Sequence, residues 1–274
     1  MEEFLVNQKY AHKLKKNGYA NLVCITRCIF KYAKWRKYVD FRIDDVIDNI
    51  DWAKNAFNNN RKDDAEEVFT YAELSMLIDY FIERHTVRHL GLLLCIATGM
   101  RVGELAALSW EDIDGMTIHV NKTESSWYKD GKRICEIVQR TKTDAGTRHI
   151  PLPSQVAWVI DELRKLNPDG KYVFEYKGRR ITIKSFEHTL YRSCDSVGIP
   201  RRSPHKLRKT YASILLDNNI SEKFIIENMG HTSITTTKSC YARNRKDQTQ
   251  REEIISSVPE FDLLKKPNPT VANL

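Results

Sequence analysis

The stretch LGLLLCIATGMRVGEL, Leu90 to Leu105, opens with an apolar run and stops short at a glycine. The run from Leu90 to Ala97 is far too short to cross a bilayer, which takes about 20 residues, so it fits a helix buried in a protein core. Gly99 suits the left-handed cap that ends such a helix. Arg101 follows before a second helical pattern begins. Its side chain therefore stands at a junction between two helices, where it can point into a cleft. The rest of the chain has to be placed around this buried helix and its charged corner.

The chain has 274 residues, enough for one large domain or two modest ones, and its 44 Lys+Arg against 36 Asp+Glu leave a net charge of +8. The surplus is not spread evenly. From Phe4 to Val39 there are nine Lys/Arg side chains and no acid, and from Lys171 to Tyr211 there are eleven against three acids. Two separated basic blocks suggest two surfaces that meet one polyanion. The six cysteines are scattered and form no C-x-x-C pair, so reduced thiols are expected. The N-terminal MEEFLVNQ lacks a signal-peptide layout. The expectation is a soluble, cytoplasmic protein with no membrane partner.

Upstream, NLVCITRCIFKYAKWRKY places Leu22, Ile25, Ile29 and Tyr32 at spacings of three and four, with Arg27, Lys31 and Lys34 on the opposite face. This predicts an amphipathic helix with one core face and one basic, phosphate-binding face. NNNRKDDAEE, Asn58 to Glu67, reads as an exposed linker. TYAE at Thr70 to Glu73 then matches a capping box that opens a helix. Further on, MTIHV, RICEIVQR and RHIPLP are short and β-rich, and they predict one small antiparallel sheet. Helical patterns resume at Gln155, Lys184, Pro204, Ser221 and Ser233. The fold expected is mostly α with a small antiparallel β-sheet: a small helical domain over 1–66, then a mostly helical domain over 67–274 that carries the sheet, with a C-terminal tail from about 245.

Several segments carry chemistry. In SPHKLRKTY, Ser203 suits an N-cap and Pro204 the first helical position. His205 then shares a face with Arg208 one turn on, and amide N–H groups, helix dipole and guanidinium together favour an anion. Arg201 and Arg202 just before them belong to the same basic block. VQRTKTDAGTRHIPL puts Lys142 beside a tight turn between two strands, where it can reach a substrate and release a proton. GHTSITTTKSCYAR supplies His231 and Tyr241. Together these fit phosphoryl transfer without a metal. A tyrosine can attack a phosphodiester. Forming its phenolate at pH 7 costs about 4 kcal/mol unless positive charge helps. Two arginines lower that cost and neutralise charge growing on the equatorial oxygens, while a histidine and a lysine can move protons. No run of the sequence has the spacing of a zinc, calcium or two-metal site, and there is no P-loop, so no metal, ATP or other cofactor is expected.

The order TGMRVGEL, TKTDAGTRHIPL, HKLRKTYAS and MGHTSITTT…Y resembles the tyrosine recombinases, the phage-integrase family that includes integrases of phages and conjugative transposons. The likeness runs from about Phe69 to Arg243. It implies that Arg101 and Arg208 clamp the nonbridging phosphate oxygens and that Lys142 protonates the leaving 5′-oxygen. His205 would handle the tyrosine proton, His231 would donate a hydrogen bond to the phosphate, and Tyr241 would be the nucleophile. Glu104 would support the arginine side of the site. The resemblance further implies a 3′-phosphotyrosine intermediate on double-stranded DNA and strand exchange through a Holliday junction. Four protomers would act on paired sites, with DNA-bending accessory proteins as possible partners. The source would be bacterial or phage-encoded, on a mobile element. Residues 1–66 resemble only the later helices of the family's core-binding domain, so the chain reads as a truncated product or as one with an unusually small clamp. Residues 250–266, QREEIISSVPEFDLLKK, are expected to dock on a neighbouring protomer. Two other readings stand beside this one: a non-catalytic DNA-binding relative that uses SEKFIIENMGHTSITTTKSCYAR as a helix-turn-helix, and a single-tyrosine topoisomerase.

Overall fold

Residues Met1–Lys62 form the first of two units, built from three helices: α1 (Glu2–Ala11), α2 (Lys16–Trp35) and α3 (Ile43–Asp48). The computed structural model describes residues 1–53, 56–57, 64–139, 147–230 and 245. Leu5, Val23, Ile43 and Ile50 are buried in this unit. Beside them Tyr19, Trp52 and Phe57 form a cluster of rings with centroids 5.0–5.1 Å apart.

The face of α2 that this core uses is not the expected one. Val23 and Thr26 are buried, with Tyr19, Phe30 and Ala33 half-buried beside them. Ile25, Ile29 and Tyr32, expected inside, are 60%, 59% and 57% exposed. The physical reason is that α2 carries two apolar stripes, and the surrounding rings and α3 cover only one. Thr26 can join the buried stripe because its hydroxyl donates to Leu22 O (2.9 Å), which satisfies the one polar group it brings.

The second unit, Asp63–Leu274, begins with α4 (Asp64–Glu67), so the end of the expected linker is structured and Glu67 is buried. Thr70 then caps α5 (Tyr71–Arg84) in a reciprocal box with Glu73. The apolar run becomes α6 (Val87–Thr98), buried on most of its circumference through Leu90, Leu92, Leu93, Leu94 and Cys95. It packs against α5 and three later helices, α8 (Ala157–Leu166), α9 (Ile183–Ser196) and α10 (Pro204–Asp217). Phe174 and Phe186 meet edge to face beside it at 5.4 Å. Each buried leucine of α6 contributes about 1.5–3 kcal/mol. Truncating Leu92 to alanine therefore costs about 2–5 kcal/mol once the cavity it leaves is included.

Between α7 (Val102–Ala107) and α8 lie two small antiparallel pieces rather than one sheet. β1 (Ile113–Asp114), β2 (Thr117–Val120) and β5 (Arg148–Pro151) make a three-stranded sheet, with Ile118 opposite Ile150. The segment from Arg133 to Gln139 does not join it. Among the described residues, β3 (Lys122–Lys129) and β4 (Lys132–Gln139) pair only with each other. Asp130 and Gly131 both have positive φ (52° and 72°), the two-residue turn whose twist matches a hairpin. β6 (Glu175–Tyr176) and β7 (Arg179–Arg180) form a shorter hairpin before α9. α11 (Glu222–Met229) follows α10 and ends at Gly230. Among the described residues, no helix is long and apolar enough to cross a membrane.

Candidate active site

Gly99 ends α6 at φ 62°, and its N–H donates to Cys95 O at 3.0 Å. A side chain there would meet both the dihedral and the Tyr211 ring, whose Cδ1 lies 2.3 Å from an ideal Cβ. Arg101 is therefore delivered at a sharp corner, as the N-cap of α7. Glu104, one turn into α7, reaches back to accept from Arg101 N–H (2.9 Å) and from Arg101 Nη1 (2.8 Å).

Glu104 is fully buried, and a second guanidinium holds it there. Arg148 of β5 donates from Nη2 to Oε2 at 2.7 Å and from Nη1 to Oε1 at 3.2 Å. Burial alone would raise the Glu104 pKa. The Arg148 hydrogen bonds and charge outweigh burial, with help from Arg101 and Arg208, and bring it down to about 2. The carboxylate is therefore ionised at any working pH.

On α10, Pro204 occupies the first helical position after Ser203, although the Ser203 side chain makes no cap hydrogen bond. Arg208 is 1% exposed. Its Nη1 donates to Gly99 O at 2.7 Å and its Nη2 to Met229 O. His205, one turn earlier, keeps surface open to solvent. Partial burial of its ring, then the charges of Arg208, Lys209, Lys206 and Arg101, lower its pKa to about 4. At pH 7 its imidazole is neutral and can accept a proton.

The structure thus brings Arg101, Glu104 and Arg208 together, with His205 on the helix that carries Arg208. Lys142, His231 and Tyr241 lie outside the described residues, as do the second half of the expected helix-turn-helix and the tail from 250 on.

A model of the phage integrase family matches residues 67–248. The chain belongs to the phage integrase family. A tyrosine recombinase XerC-like protein of Caldanaerobacter subterraneus subsp. tengcongensis is 28% identical over 170 residues, covering 54% of this chain and 44% of that protein. The integrase of Staphylococcus phage L54a is 25% identical over 244 residues, covering 77% of this chain and 66% of that protein. The chain thus spans less than half of the first of these relatives and two thirds of the second. Among solved structures, the Tn1549 transposon integrase in complex with transposon right end DNA superposes with a TM-score of 0.70 at 18% identity, covering 93% of this chain and 84% of that one. At that identity the likeness is one of fold.

In this integrase-family chain, several residues of the two basic blocks, among them Arg27, Arg201 and Arg202, expected to contact DNA, already have acidic neighbours. Arg202 is buried: its Nη2 donates to Glu73 Oε1 at 2.9 Å and its guanidinium lies 4.9 Å from the Phe69 ring. It fastens the start of α5 and is not a surface contact. Arg201 is exposed but bidentate to Asp195, at 2.7 Å in both bonds. Lys206 and Lys209 both bond the buried Glu67, whose pKa they pull down to about 2 against the effect of burial. In the first unit, Arg27 lies 2.7 Å from Asp44 and 4.0 Å from Asp48 of α3. The sequence is acid-free around Arg27, but the fold is not. Lys31 and Lys34 stay exposed.

Sequence reasoning missed Arg148. The signal was present: in RHIP, alternation puts Arg148 on the same strand face as Ile150, which must point inward. An arginine in phase with a core isoleucine needs a buried acceptor, and Glu104 is one.

Proposed function

We propose that this chain is a site-specific DNA recombinase that cleaves and rejoins strands through Tyr241. The observation that supports this most is the convergence of Arg101 and Arg208. They come from motifs far apart in the chain, yet they donate to successive carbonyls, Gly230 O (3.4 Å) and Met229 O, immediately before the His231–Tyr241 segment. Two guanidiniums fixed at one place suit a phosphate with two nonbridging oxygens.

In this reading the Tyr241 hydroxyl attacks the phosphorus and loses its proton to His205, which is neutral at pH 7. The bond to the 5′-oxygen breaks, and that oxygen leaves with a proton from Lys142. The product is a 3′-phosphotyrosine and a 5′-hydroxyl. Arg101, Arg208 and His231 stabilise the charge on the equatorial oxygens. The bond energy stays in the phosphotyrosine link, so the 5′-hydroxyl of a partner strand can reverse the step without ATP, and paired sites would be served by four protomers.

The test is to recover DNA that becomes covalently attached to the protein in cells, sequence it, and rebuild it as a nicked duplex. Wild type should form an adduct on that duplex in EDTA, and Tyr241→Phe should bind it without forming one. An adduct that persists in Tyr241→Phe sinks the nucleophile assignment. DNA binding with no adduct in either protein leaves a binding relative of the family.

A further inference from the structure

The last three carbonyls of the α11 corner each accept from a different arginine. Arg148 Nε donates to Asn228 O at 2.7 Å, Arg208 Nη2 to Met229 O, and Arg101 Nη2 to Gly230 O at 3.4 Å. A helix end leaves about four carbonyls without partners inside the helix. Its dipole also makes that end negative. Gly230, left-handed at φ 60°, turns the chain there. The end of α11 is thus a row of fixed acceptors that holds three cations in set places.

Arg101 and Arg208 are the two guanidiniums assigned to the phosphate. Arg148 is different. It is 7% exposed, and it joins the Asn228 carbonyl, through Nε at 2.7 Å, to the Glu104 carboxylate, through both terminal nitrogens. Glu104 in turn holds Arg101. On the far side, the Asn228 amide donates to the Tyr211 hydroxyl, which ties α11 to the helix that carries Arg208. Without Arg148, the Glu104 carboxylate would draw on Arg101 more strongly, and the α11 end would lose its tie to β5.

Resting on the recombinase reading, we propose that Arg148 is a positioning residue. It sets the spacing between Glu104 and the end of α11, and so aims the Arg101 and Arg208 guanidiniums at one phosphate. Arg148 touches no reacting atom; it acts through its two neighbours.

The test uses the full chain and the nicked duplex described above, with either an ordinary scissile phosphate or a neutral methylphosphonate in its place. The wild type should lose about a hundredfold or more in rate on the neutral linkage, because its aimed cations lose their charge partner. Arg148→Lys keeps a charge but cannot bond both anchors. It should cleave ordinary DNA about a hundredfold more slowly at saturating DNA, with its Kd within about threefold of wild type. Its penalty for the neutral linkage should shrink to about tenfold or less. Tyr211→Phe removes only the hydroxyl that holds Asn228. It should show a smaller loss of rate with the same direction of change in penalty, and it carries the test if Arg148→Lys melts early. Equal slowing on both linkages in these variants, or wild-type rates in both, overturns the positioning role while leaving strand cleavage standing. A wild type that forms no adduct overturns both.

Discussion

The basic face of α2 and the arginine cluster at the end of α11 are both positive, but they differ in how their charges are held. On α2, Lys31 and Lys34 stand in water, and Arg27 is in an ion pair with Asp44 that leaves both side chains about half exposed. At α11, Arg148 and Arg208 are buried against carbonyls and a carboxylate, and Arg101 reaches the same group from the surface. Exposed cations gain by releasing counterions and are screened by salt. Fixed, desolvated cations need little reorganisation when charge develops between them. Under the proposed function, the first arrangement would serve affinity and the second chemistry. Substitutions should separate them.

The largest effect is expected at Arg208. Arg208→Lys keeps a cation but cannot span Gly99 O and Met229 O at once. It should slow adduct formation on the nicked duplex by about 10²–10³-fold, the usual loss for one preorganised donor, while Kd for DNA changes little. Arg101→Ala, from a partly exposed site, should fall in the same range. If either variant weakens binding as much as it slows cleavage, the cluster holds DNA in the same way as α2, and the distinction collapses.

Next comes Glu104. Glu104→Gln leaves two guanidiniums facing a neutral amide, and loss of one partner from a buried ion pair costs about 3–5 kcal/mol of stability. The pH dependence has a definite sign. The folded pKa, about 2, lies below the ordinary glutamate value of 4.5. The stabilisation is therefore complete above about pH 4.5 and fades as pH falls through 2. Urea midpoints measured from pH 7 down to 3 should decline less steeply for Glu104→Gln than for wild type. Some decline should remain in the variant, because Glu67 is held at about 2 by Lys206 and Lys209. Parallel declines in the two proteins would mean that Glu104 is not the depressed carboxylate.

What the sequence made legible follows the range of the interactions. The Gly99 cap, the Thr70–Glu73 box and the Pro204 start each depend on residues within one helical turn, and local rules place all three. The pairing of β3 with β4 was hidden: LysThrGluSerSer has no strong strand pattern, and its partner lies across the Asp130–Gly131 turn. The α2 core face was misread because helical spacing fits both stripes, and only the neighbouring rings decide between them. In the site, Arg101 and Arg208 could be named from their motifs. Arg148 and Arg202 needed the positions of Glu104 and Glu73, which come from other segments. A charge count along the chain cannot show which cations the fold has already paired.

The smallest effects should come from α2, and they test the other half of the comparison. Lys31→Ala and Lys34→Ala each remove an exposed cation without touching the core of the first unit. If this face meets DNA phosphates, each change should weaken binding a few-fold at low salt and reduce the slope of log K against log salt by about 1. Cleavage at saturating DNA should stay at the wild-type rate, since neither residue belongs to the arginine cluster. Arg27→Ala should do less still. Its charge is already matched by Asp44 and Asp48, so the loss of that exposed pair costs about 0–1 kcal/mol of stability and changes the salt slope little. An Arg27→Ala slope that drops as far as that of Lys31→Ala would show that DNA displaces Asp44 and claims the guanidinium. The α2 face would then be a continuous phosphate track from Arg27 to Lys34, and its pairing with α3 a property of the unbound protein alone.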